Sequence, residues 1–274
     1  MDATNTNGKG ARSPVLGRIE EALNAAARSI SPFLVGTPKV EFKSGRDPVT
    51  EADRVANRIL RESLLRDGEG WLSEESVDDL SRLGKERVWV VDPIDGTQEF
   101  ISGIPEWCIS VGFVENGRAV AGGICNPVTG EVFLGALGEG IRLNGISVSV
   151  SRRERLEGAV VLASRSEVVR GEWDCFRDAP FVTRSMGSVA YKLALVASGR
   201  ADATWTGCPK NEWDIAAGSA LVQAAGGFVR NLNGSELRFN NPSPLLPGLV
   251  ACGPQLDLKL NSWLRERNEH SADG

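Results

Sequence analysis

The segment RVWVVDPIDGTQEF, residues 87–100, contains an apolar half followed by an acidic half. The apolar half is rich in β-branched residues and predicts a buried strand that ends at Asp92-Pro93. Such a strand places the residues that follow it at the end of a sheet, where functional sites form. Proline restricts the backbone, so the carboxylates of Asp92 and Asp95 and the carbonyl of Ile94 can converge on one point.

Gly96 and Thr97 follow directly and open a predicted helix. Backbone N–H groups at the start of a helix attract anions. Carboxylates beside an anion repel it unless a cation lies between them, so the segment predicts a Mg²⁺ site next to a phosphate site. The alternative is an ordinary turn at the end of a strand, because Asp-Pro and Asp-Gly are common turn dipeptides.

Helices are predicted on the N-terminal side of this segment. Residues 1–12 are predicted to be a disordered tail, and the apolar spacing that follows predicts a helix over 13–29. Thr50 is a candidate N-cap, and Asp53 lies three residues later as in a short capping box. This second helix has a buried stripe of apolar residues.

An antiparallel meander is predicted after the segment, with strands over 108–114, 119–126 and 131–137 separated by turn residues. Strands and helices then alternate. Helices are predicted over 189–197 and 212–225, and a final amphipathic helix near 256–264. Helices, a meander and an alternating half together predict sheets layered between helices.

The chain is predicted to comprise two halves between its ends. Residues 13–152 form an N-terminal α+β half with the metal-binding motifs, and residues 153–266 form a C-terminal α/β half. The C-terminal half contributes Asp214 and substrate contacts. Residues 267–274 are predicted to be a polar tail.

Composition excludes several classes of function. The 274 residues carry a net charge of −5, which favours neither nucleic-acid nor membrane binding. Five scattered cysteines without CxxC spacing, and a polar N-terminus without an apolar core, indicate a reducing compartment and a cytoplasmic protein. The one histidine, His270, lies in the polar tail, so catalysis by histidine and zinc bound by histidine are excluded.

Further carboxylates lie in settings like that of Asp92. Glu74 and Glu75 end a short apolar run, and Asp214 falls in the first turn of a predicted helix. An acidic residue there often only compensates the helix dipole, and this alternative stays open for Asp214. Asp47, just before the Thr50 cap, could likewise be a turn residue.

Four motifs together resemble the inositol monophosphatase family over roughly residues 15–252. They are DPVTEAD (47–53), SEES (73–76), WVVDPIDGTQEF (89–100) and EWDIAAG (212–218), in the family's order and spacing. The resemblance implies a layered α+β or α/β fold, the five-layer αβαβα sandwich of that family. It also implies a Mg²⁺-dependent, lithium-sensitive phosphomonoester hydrolase.

The resemblance also implies a set of metal ligands. Glu74, Asp92 and the Ile94 carbonyl match the ligands of a first metal, and Asp92, Asp95 and Asp214 match those of a second, with Asp92 bridging. All are hard oxygen donors, which suit Mg²⁺, with Mn²⁺ as a substitute. Two or three ions per site are implied.

Other positions match the groups that act on the phosphate and the water. Gly96 and Thr97 match the donors that hold the phosphate. Asp47 and Thr97 match the pair that orients the nucleophilic water, and Glu74 would also serve a third, weaker metal. Asp47, Glu74 and Thr97 are therefore the implied catalytic residues.

The substrate is a small phosphorylated metabolite, and several segments resemble the 3'(2'),5'-bisphosphate nucleotidase (CysQ) branch. These include Ser73 ahead of the glutamate pair, and the segments 98–101, 164–166 and 209–211. The resemblance to this branch therefore implies 3'-phosphoadenosine 5'-phosphate as the preferred substrate. Inositol 1-phosphate, histidinol phosphate and sugar bisphosphates are the alternatives.

A bisphosphate requires a second positive centre away from the metals. The candidate contacts are Ser164, Arg165, Lys192 and Lys210, with Arg184 as a further base. Each base could instead be an ordinary solvated side chain. The different-class alternative is a catalytically silent regulatory binding protein, and either protein would be a monomer or a homodimer.

Overall fold

The computed structural model describes residues 13–35, 40–42 and 48–272. Asp47 lies outside the described residues. The helices are α1 (Ser13–Ile30), α2 (Glu51–Leu64), α3 (Thr97–Ile101), α4 (Arg165–Val169), α5 (Val189–Ala197), α6 (Glu212–Ala224) and α7 (Pro254–Ala272), with 3₁₀ turns at Ser31–Val35 and Asp174–Phe176. The strands are β1 (Val40–Phe42), β2 (Pro48–Thr50), β3 (Gly70–Ser73), β4 (Arg87–Asp95), β5 (Cys108–Glu115), β6 (Arg118–Asn126), β7 (Glu131–Ala136), β8 (Gly140–Leu143), β9 (Ile146–Val148), β10 (Val160–Ser164), β11 (Val182–Met186), β12 (Ala203–Thr206), β13 (Lys210–Asn211), β14 (Phe228–Asn231), β15 (Leu245–Leu246) and β16 (Leu249–Cys252).

A seven-stranded sheet contains β3 to β9 in chain order. The pair β3–β4 is parallel, whereas the strands from β4 to β9 form a continuous antiparallel meander. The parallel pair brings the ends of β3 and β4 to the same edge of the sheet. Glu74 follows β3, and the Asp-Pro-Ile-Asp motif ends β4, so the two acidic segments are neighbours.

A five-stranded sheet in the order β11-β10-β12-β16-β14 forms the second half. Its strand β10 pairs in parallel with both β11 and β12, and β16 runs antiparallel to β12 and β14. Helices α5 and α6 connect strands of this half and pack on the first sheet as well.

Three apolar clusters separate five layers. One lies between α1, α2 and the first sheet, with Leu23, Leu60 and Trp89 buried in it. A second fills the space among the first sheet, α5, α6 and the second sheet, and a third lies between the second sheet and α7. The order is therefore αβαβα, which confirms the predicted layered fold.

Two glycines let α6 approach the first sheet closely. A Cβ on Gly122 would stand 2.5 Å from the Ala217 carbonyl oxygen, and one on Gly112 would stand 2.8 Å from the Ala216 Cβ. Neither distance leaves room for a side chain, so the backbone of α6 rests directly on β5 and β6. This contact fixes the helix that carries Asp214.

Two elements, β4 and α7, differ clearly from their predicted bounds, and the hairpin β8–β9 was not predicted at all. Strand β4 was predicted to end at Asp92, but it continues through Asp95 with an irregular register between these two residues. Helix α7 runs from Pro254 to Ala272, past the predicted 256–264 and into the predicted polar tail. The hairpin β8–β9 was not predicted, because its strands are short and their apolar pattern is weak.

Among the helices of the described residues, none combines the length and the apolar character that crossing a lipid bilayer requires.

Candidate functional site

The end of β4 carries the first group of predicted site residues. Asp92 is buried, and its Oδ1 accepts a hydrogen bond from the backbone N–H of Ile94 at 3.0 Å. The Thr97 hydroxyl donates to the Ile94 carbonyl at 3.1 Å. One compact turn therefore contains the predicted metal ligands Asp92 and Ile94 together with Thr97, which is predicted to bind the phosphate.

Gly96 makes this turn possible. Its φ of +97° lies in the left-handed region, and a Cβ there would stand 3.0 Å from the Trp107 Cβ and 3.2 Å from the Glu106 carbonyl oxygen. The chain can therefore turn from β4 into α3 at this point only with glycine.

Asp95 is held from the other half of the molecule. Its Oδ2 accepts hydrogen bonds from the Ser188 hydroxyl and the Ala190 backbone N–H, both at 2.6 Å. Ser188 is also the N-cap of α5, where its side chain accepts from the Tyr191 N–H at 3.0 Å. The start of α5 thus fixes one oxygen of Asp95.

Glu74 follows β3 beside this turn. Its backbone N–H donates to the Val91 carbonyl at 3.3 Å, which ties it to β4. The Ser73 hydroxyl donates to Asn57 Oδ1 at 2.8 Å and accepts from the Glu75 N–H at 3.3 Å. Ser73 therefore organises the loop that carries Glu74.

Asp214 lies in the first turn of α6 and is partly buried. Its Oδ2 accepts from the backbone N–H of Asn211 at 3.0 Å, a capping bond. Asp214 thus completes a capping box at the start of α6, the position where compensation of the helix dipole was the alternative left open for it.

The four carboxylates Glu74, Asp92, Asp95 and Asp214 interact electrostatically. Burial raises the pKa of Asp92 well above its usual range, and the nearby charges of Glu74, Asp95, Asp214 and Asp53 raise it further. Burial likewise raises the pKa of Asp214, with Asp95 and Glu74 adding to it. A divalent cation relieves such repulsion, and the donors are hard oxygens, so this set fits Mg²⁺.

The side chains of Glu74, Asp92, Asp95 and Asp214 do not converge as tightly as those of a second group of possible metal ligands. Among the described residues, the one trio whose ligand atoms lie within 4.8 Å of one another is Glu167, Glu172 and Cys208. That trio is already neutralised by bases: Lys210 Nζ lies 3.5 Å from Glu167 Oε1, and Arg170 Nε lies 2.6 Å from Glu172 Oε1. Asp92, Asp95 and Asp214 instead each accept a hydrogen bond from a protein donor on one carboxylate oxygen.

The predicted substrate contacts differ in the protein groups that they already bind and in their exposure. Arg165 contacts the carboxylates of both Glu99 and Glu106, with Nε 3.3 Å from Glu99 Oε1. Ser164 is buried, and its hydroxyl lies 3.1 Å from that of Ser166. Arg184 is exposed on the edge strand β11.

Lys192 and Lys210 act electrostatically on the carboxylate cluster. Both ammonium groups act on Asp95, where their positive charge opposes the rise in its pKa that burial causes. Lys192 is buried, and its Nζ donates to the Met186 carbonyl at 3.4 Å. Burial lowers the pKa of Lys192 to about 8.

Sequence reasoning missed three residues that bear on this site. Asp53 was assigned only a capping role, yet it is buried and its charge acts on Asp92. Ser188 and Glu212 were not singled out. The Gly187-Ser188 pair before an apolar helix could have indicated an N-cap, but no local pattern indicates that this cap also binds Asp95.

Known proteins resemble most of the chain. A model of the inositol monophosphatase family matches residues 16–269. The inositol-1-monophosphatase of Rhizobium meliloti is 34% identical over 254 residues, which cover 89% of this chain and 92% of that protein. The Nus factor SuhB of Pseudomonas aeruginosa is 34% identical over 230 residues, covering 78% and 82%. The crystal structure of CysQ from Bacteroides thetaiotaomicron superposes with a TM-score of 0.74 at 28% identity, covering 88% of this chain and 97% of that one.

Proposed function

Because this chain belongs to the inositol monophosphatase family and is a phosphatase, we propose that it hydrolyses a small phosphomonoester with Mg²⁺ held by the four clustered carboxylates. The observation that carries the proposal is the placement of four carboxylates from three separate stretches of chain: Glu74 follows β3 beside the Asp92–Asp95 turn of β4, and Asp214 begins α6, near enough for its charge to act on Asp92. A fold has little reason to gather so many like charges without a cation.

We assign Glu74, Asp92 and the Ile94 carbonyl to one cation, and Asp92, Asp95 and Asp214 to another. Divalent cations there would supply the positive charge that a transferring phosphoryl group requires. Mn²⁺ would substitute for Mg²⁺, and a third cation would draw on Glu74.

The chain's own groups position the reacting atoms. The Thr97 hydroxyl and the backbone N–H groups of Gly96 and Thr97 would hold the phosphate, since they lie at the first turn of α3 beside the carboxylates. Asp47 and Thr97 would orient the attacking water, and the Asp47 carboxylate would take up its proton. Phosphoryl transfer depends mostly on such positioning, so no histidine is required.

For the substrate, we propose 3'-phosphoadenosine 5'-phosphate. Its second phosphate requires a base beyond the cations, and Lys192 and Lys210 both lie near Asp95. Arg165 is less suited, because a guanidinium that already pairs with two carboxylates offers little net charge. Ser164 would line the same side of the site.

Inositol 1-phosphate is the second candidate. The relative from Rhizobium meliloti bears the name inositol-1-monophosphatase and matches nearly the full length of the chain. An inositol ring requires hydroxyl partners rather than a second base, so Lys192 and Lys210 would contribute little to its binding.

A panel of substrates tests these proposals. Phosphate release is measured with and without Mg²⁺ on 3'-phosphoadenosine 5'-phosphate, inositol 1-phosphate, histidinol phosphate and fructose 1,6-bisphosphate. We expect Mg²⁺-dependent phosphate release that is fastest on 3'-phosphoadenosine 5'-phosphate. We also expect Lys210→Met to reduce the rate on 3'-phosphoadenosine 5'-phosphate more than the rate on inositol 1-phosphate. Equal rates on all four would contradict the substrate proposal, and no release on any would favour a silent regulatory binding protein.

Three further properties follow from the same proposal. Lithium should inhibit the reaction, and the protein should be a monomer or a homodimer. The five free cysteines fit a reducing compartment, so we place the protein in the cytoplasm.

A further inference from the structure

Glu212 begins α6 two residues before Asp214, and its side chain is completely buried. Its carboxylate accepts three hydrogen bonds from the segment that precedes β15. The donors are the backbone N–H of Asn240 at 2.6 Å, the backbone N–H of Asn241 at 2.9 Å and the side-chain amide of Asn241 at 2.7 Å. A buried carboxylate with this many donors is held in one orientation.

The same two asparagines bind Arg82 on their other side. Its guanidinium donates to Asn240 Oδ1 at 2.8 Å and to the Asn241 carbonyl at 2.9 Å, and the Asn240 amide donates back to the Arg82 carbonyl at 3.1 Å. Arg82 is also buried and pairs with Asp78 at 2.8 Å. We call Arg82, Asn240, Asn241 and Glu212 the asparagine clamp.

The clamp joins two segments that carry proposed metal ligands. Arg82 lies in the connection between β3 and β4, which begins at Glu74. Glu212 lies in the first turn of α6 with Asp214. Asn240 adopts a φ of 63°, a left-handed conformation that asparagine tolerates better than most residues, so its backbone N–H can face Glu212.

We infer that the asparagine clamp sets the position of Glu74 relative to Asp214, so that its four members are positioning residues for the cation site. This rests on the proposed function in so far as Glu74 and Asp214 are ligands. A buried base and a buried acid bridged by two amides contribute little net stability compared with apolar packing, but they fix one geometry. Metal affinity depends on groups that fix the orientation of the ligands, and the clamp would act on it through the two backbone segments that carry them.

Two variants test the clamp in the full-length protein. Glu212→Gln removes the charge that three donors face, and the milder Asn241→Ala removes a single side-chain donor. The control is Glu236→Gln. Glu236 lies in the same segment as the two asparagines, and its substitution breaks exposed ion pairs with Arg118 and Arg238. Mn²⁺ binding is titrated by electron paramagnetic resonance, and hydrogen exchange is followed at residues 74–76 and 212–216.

We expect the Mn²⁺ concentration for half-saturation to rise about tenfold or more in both clamp variants and to stay unchanged in the control. Exchange at both segments should rise together. The inference is overturned if the clamp variants melt earlier yet bind Mn²⁺ within twofold of wild type, or if exchange rises only at 212–216. If the wild-type protein binds no Mn²⁺, the proposed function is contradicted instead. Whether hydrogen exchange rises at both segments in the clamp variants then still decides whether the clamp couples them.

Discussion

The backbone of the site tolerates little change at Gly96. Its φ of +97° and the contact of 3.0 Å that a Cβ would make with Trp107 both act against any side chain. We expect Gly96→Ala to lower the free energy of unfolding by about 1–3 kcal/mol and to reduce phosphate release, because the turn that carries Asp95 and Thr97 must shift. Urea denaturation and an activity assay measure the two effects.

Gly17 provides the matched control for this substitution. It lies inside α1, and a Cβ there would meet nothing within 4 Å. Gly17→Ala should stabilise the protein by about 0.5–1 kcal/mol without altering activity. Equal behaviour of the two variants would show that the Gly96 turn carries no special constraint.

Asp92 is expected to lower stability when cations are absent. Burial and the four neighbouring carboxylates of Glu74, Asp95, Asp214 and Asp53 act against its charge. Asp92→Asn keeps the acceptor for the Ile94 N–H but removes the charge, so it should raise the free energy of unfolding by about 1 kcal/mol or more in a chelating buffer. The same variant should release no phosphate. A less stable variant in chelating buffer would contradict this reading.

Local sequence pattern identified the acidic residues but not their partners. Asp92 and Asp95 stand out because they follow an apolar strand and precede Gly96. Asp53 and Glu212 do not, because each sits in an ordinary helical turn and gains its neighbours only through packing. Arg165 shows the reverse case: a base predicted for phosphate turned out to pair with Glu99 and Glu106.

At the scale of elements, the start of α5 links the two halves of the site. The Ser188 hydroxyl caps the helix and binds Asp95 Oδ2. Ser188→Ala should cost about 1 kcal/mol through loss of the cap and should also weaken Mg²⁺ activation, because Asp95 loses its anchor. Thermal melting and the Mg²⁺ dependence of phosphate release measure these effects.

Ser29→Ala supplies the control for that substitution. Its hydroxyl donates to the Ala26 carbonyl near the end of α1. Mg²⁺ activation should be unchanged in this variant. An unchanged Mg²⁺ dependence in Ser188→Ala as well would reduce the role of Ser188 to helix capping.

Most elements could be predicted from apolar spacing, whereas their ends could not. The meander β5–β7 and the helices α5 and α6 follow from local pattern. The extension of β4 through Asp95 does not, because Pro93 usually ends a strand and only pairing with β5 carries the chain past it. The close seat of α6 on Gly112 and Gly122 is likewise a property of packing.

At the scale of the whole molecule, cation binding should be linked to folding stability. The proposed ligands come from β3, β4 and α6, which meet only in the folded state. Mg²⁺ at 100-fold above its dissociation constant should raise the melting temperature by about 5–10 °C. Asp214→Asn should lose most of this rise while it melts close to wild type in chelating buffer. A rise of equal size in the variant would remove Asp214 from the site.

The five-layer order was predicted through the family resemblance, and the three apolar clusters confirm it. Spacing alone indicated only sheets between helices, since the stacking order depends on contacts far apart in the chain. The division into halves at residue 152 stays a prediction. The α5–α6 layer is buried against both sheets, so the two halves share one core.

Anomalous diffraction from crystals soaked in Mn²⁺ tests the central claim most directly, because it locates the cations without any assay of activity. We predict two or three Mn²⁺ peaks within coordination distance of Glu74, Asp92, Asp95 and Asp214, with the Ile94 carbonyl as a further ligand. Peaks confined to Glu167, Glu172 and Cys208, or no peak near Asp92, would contradict the account.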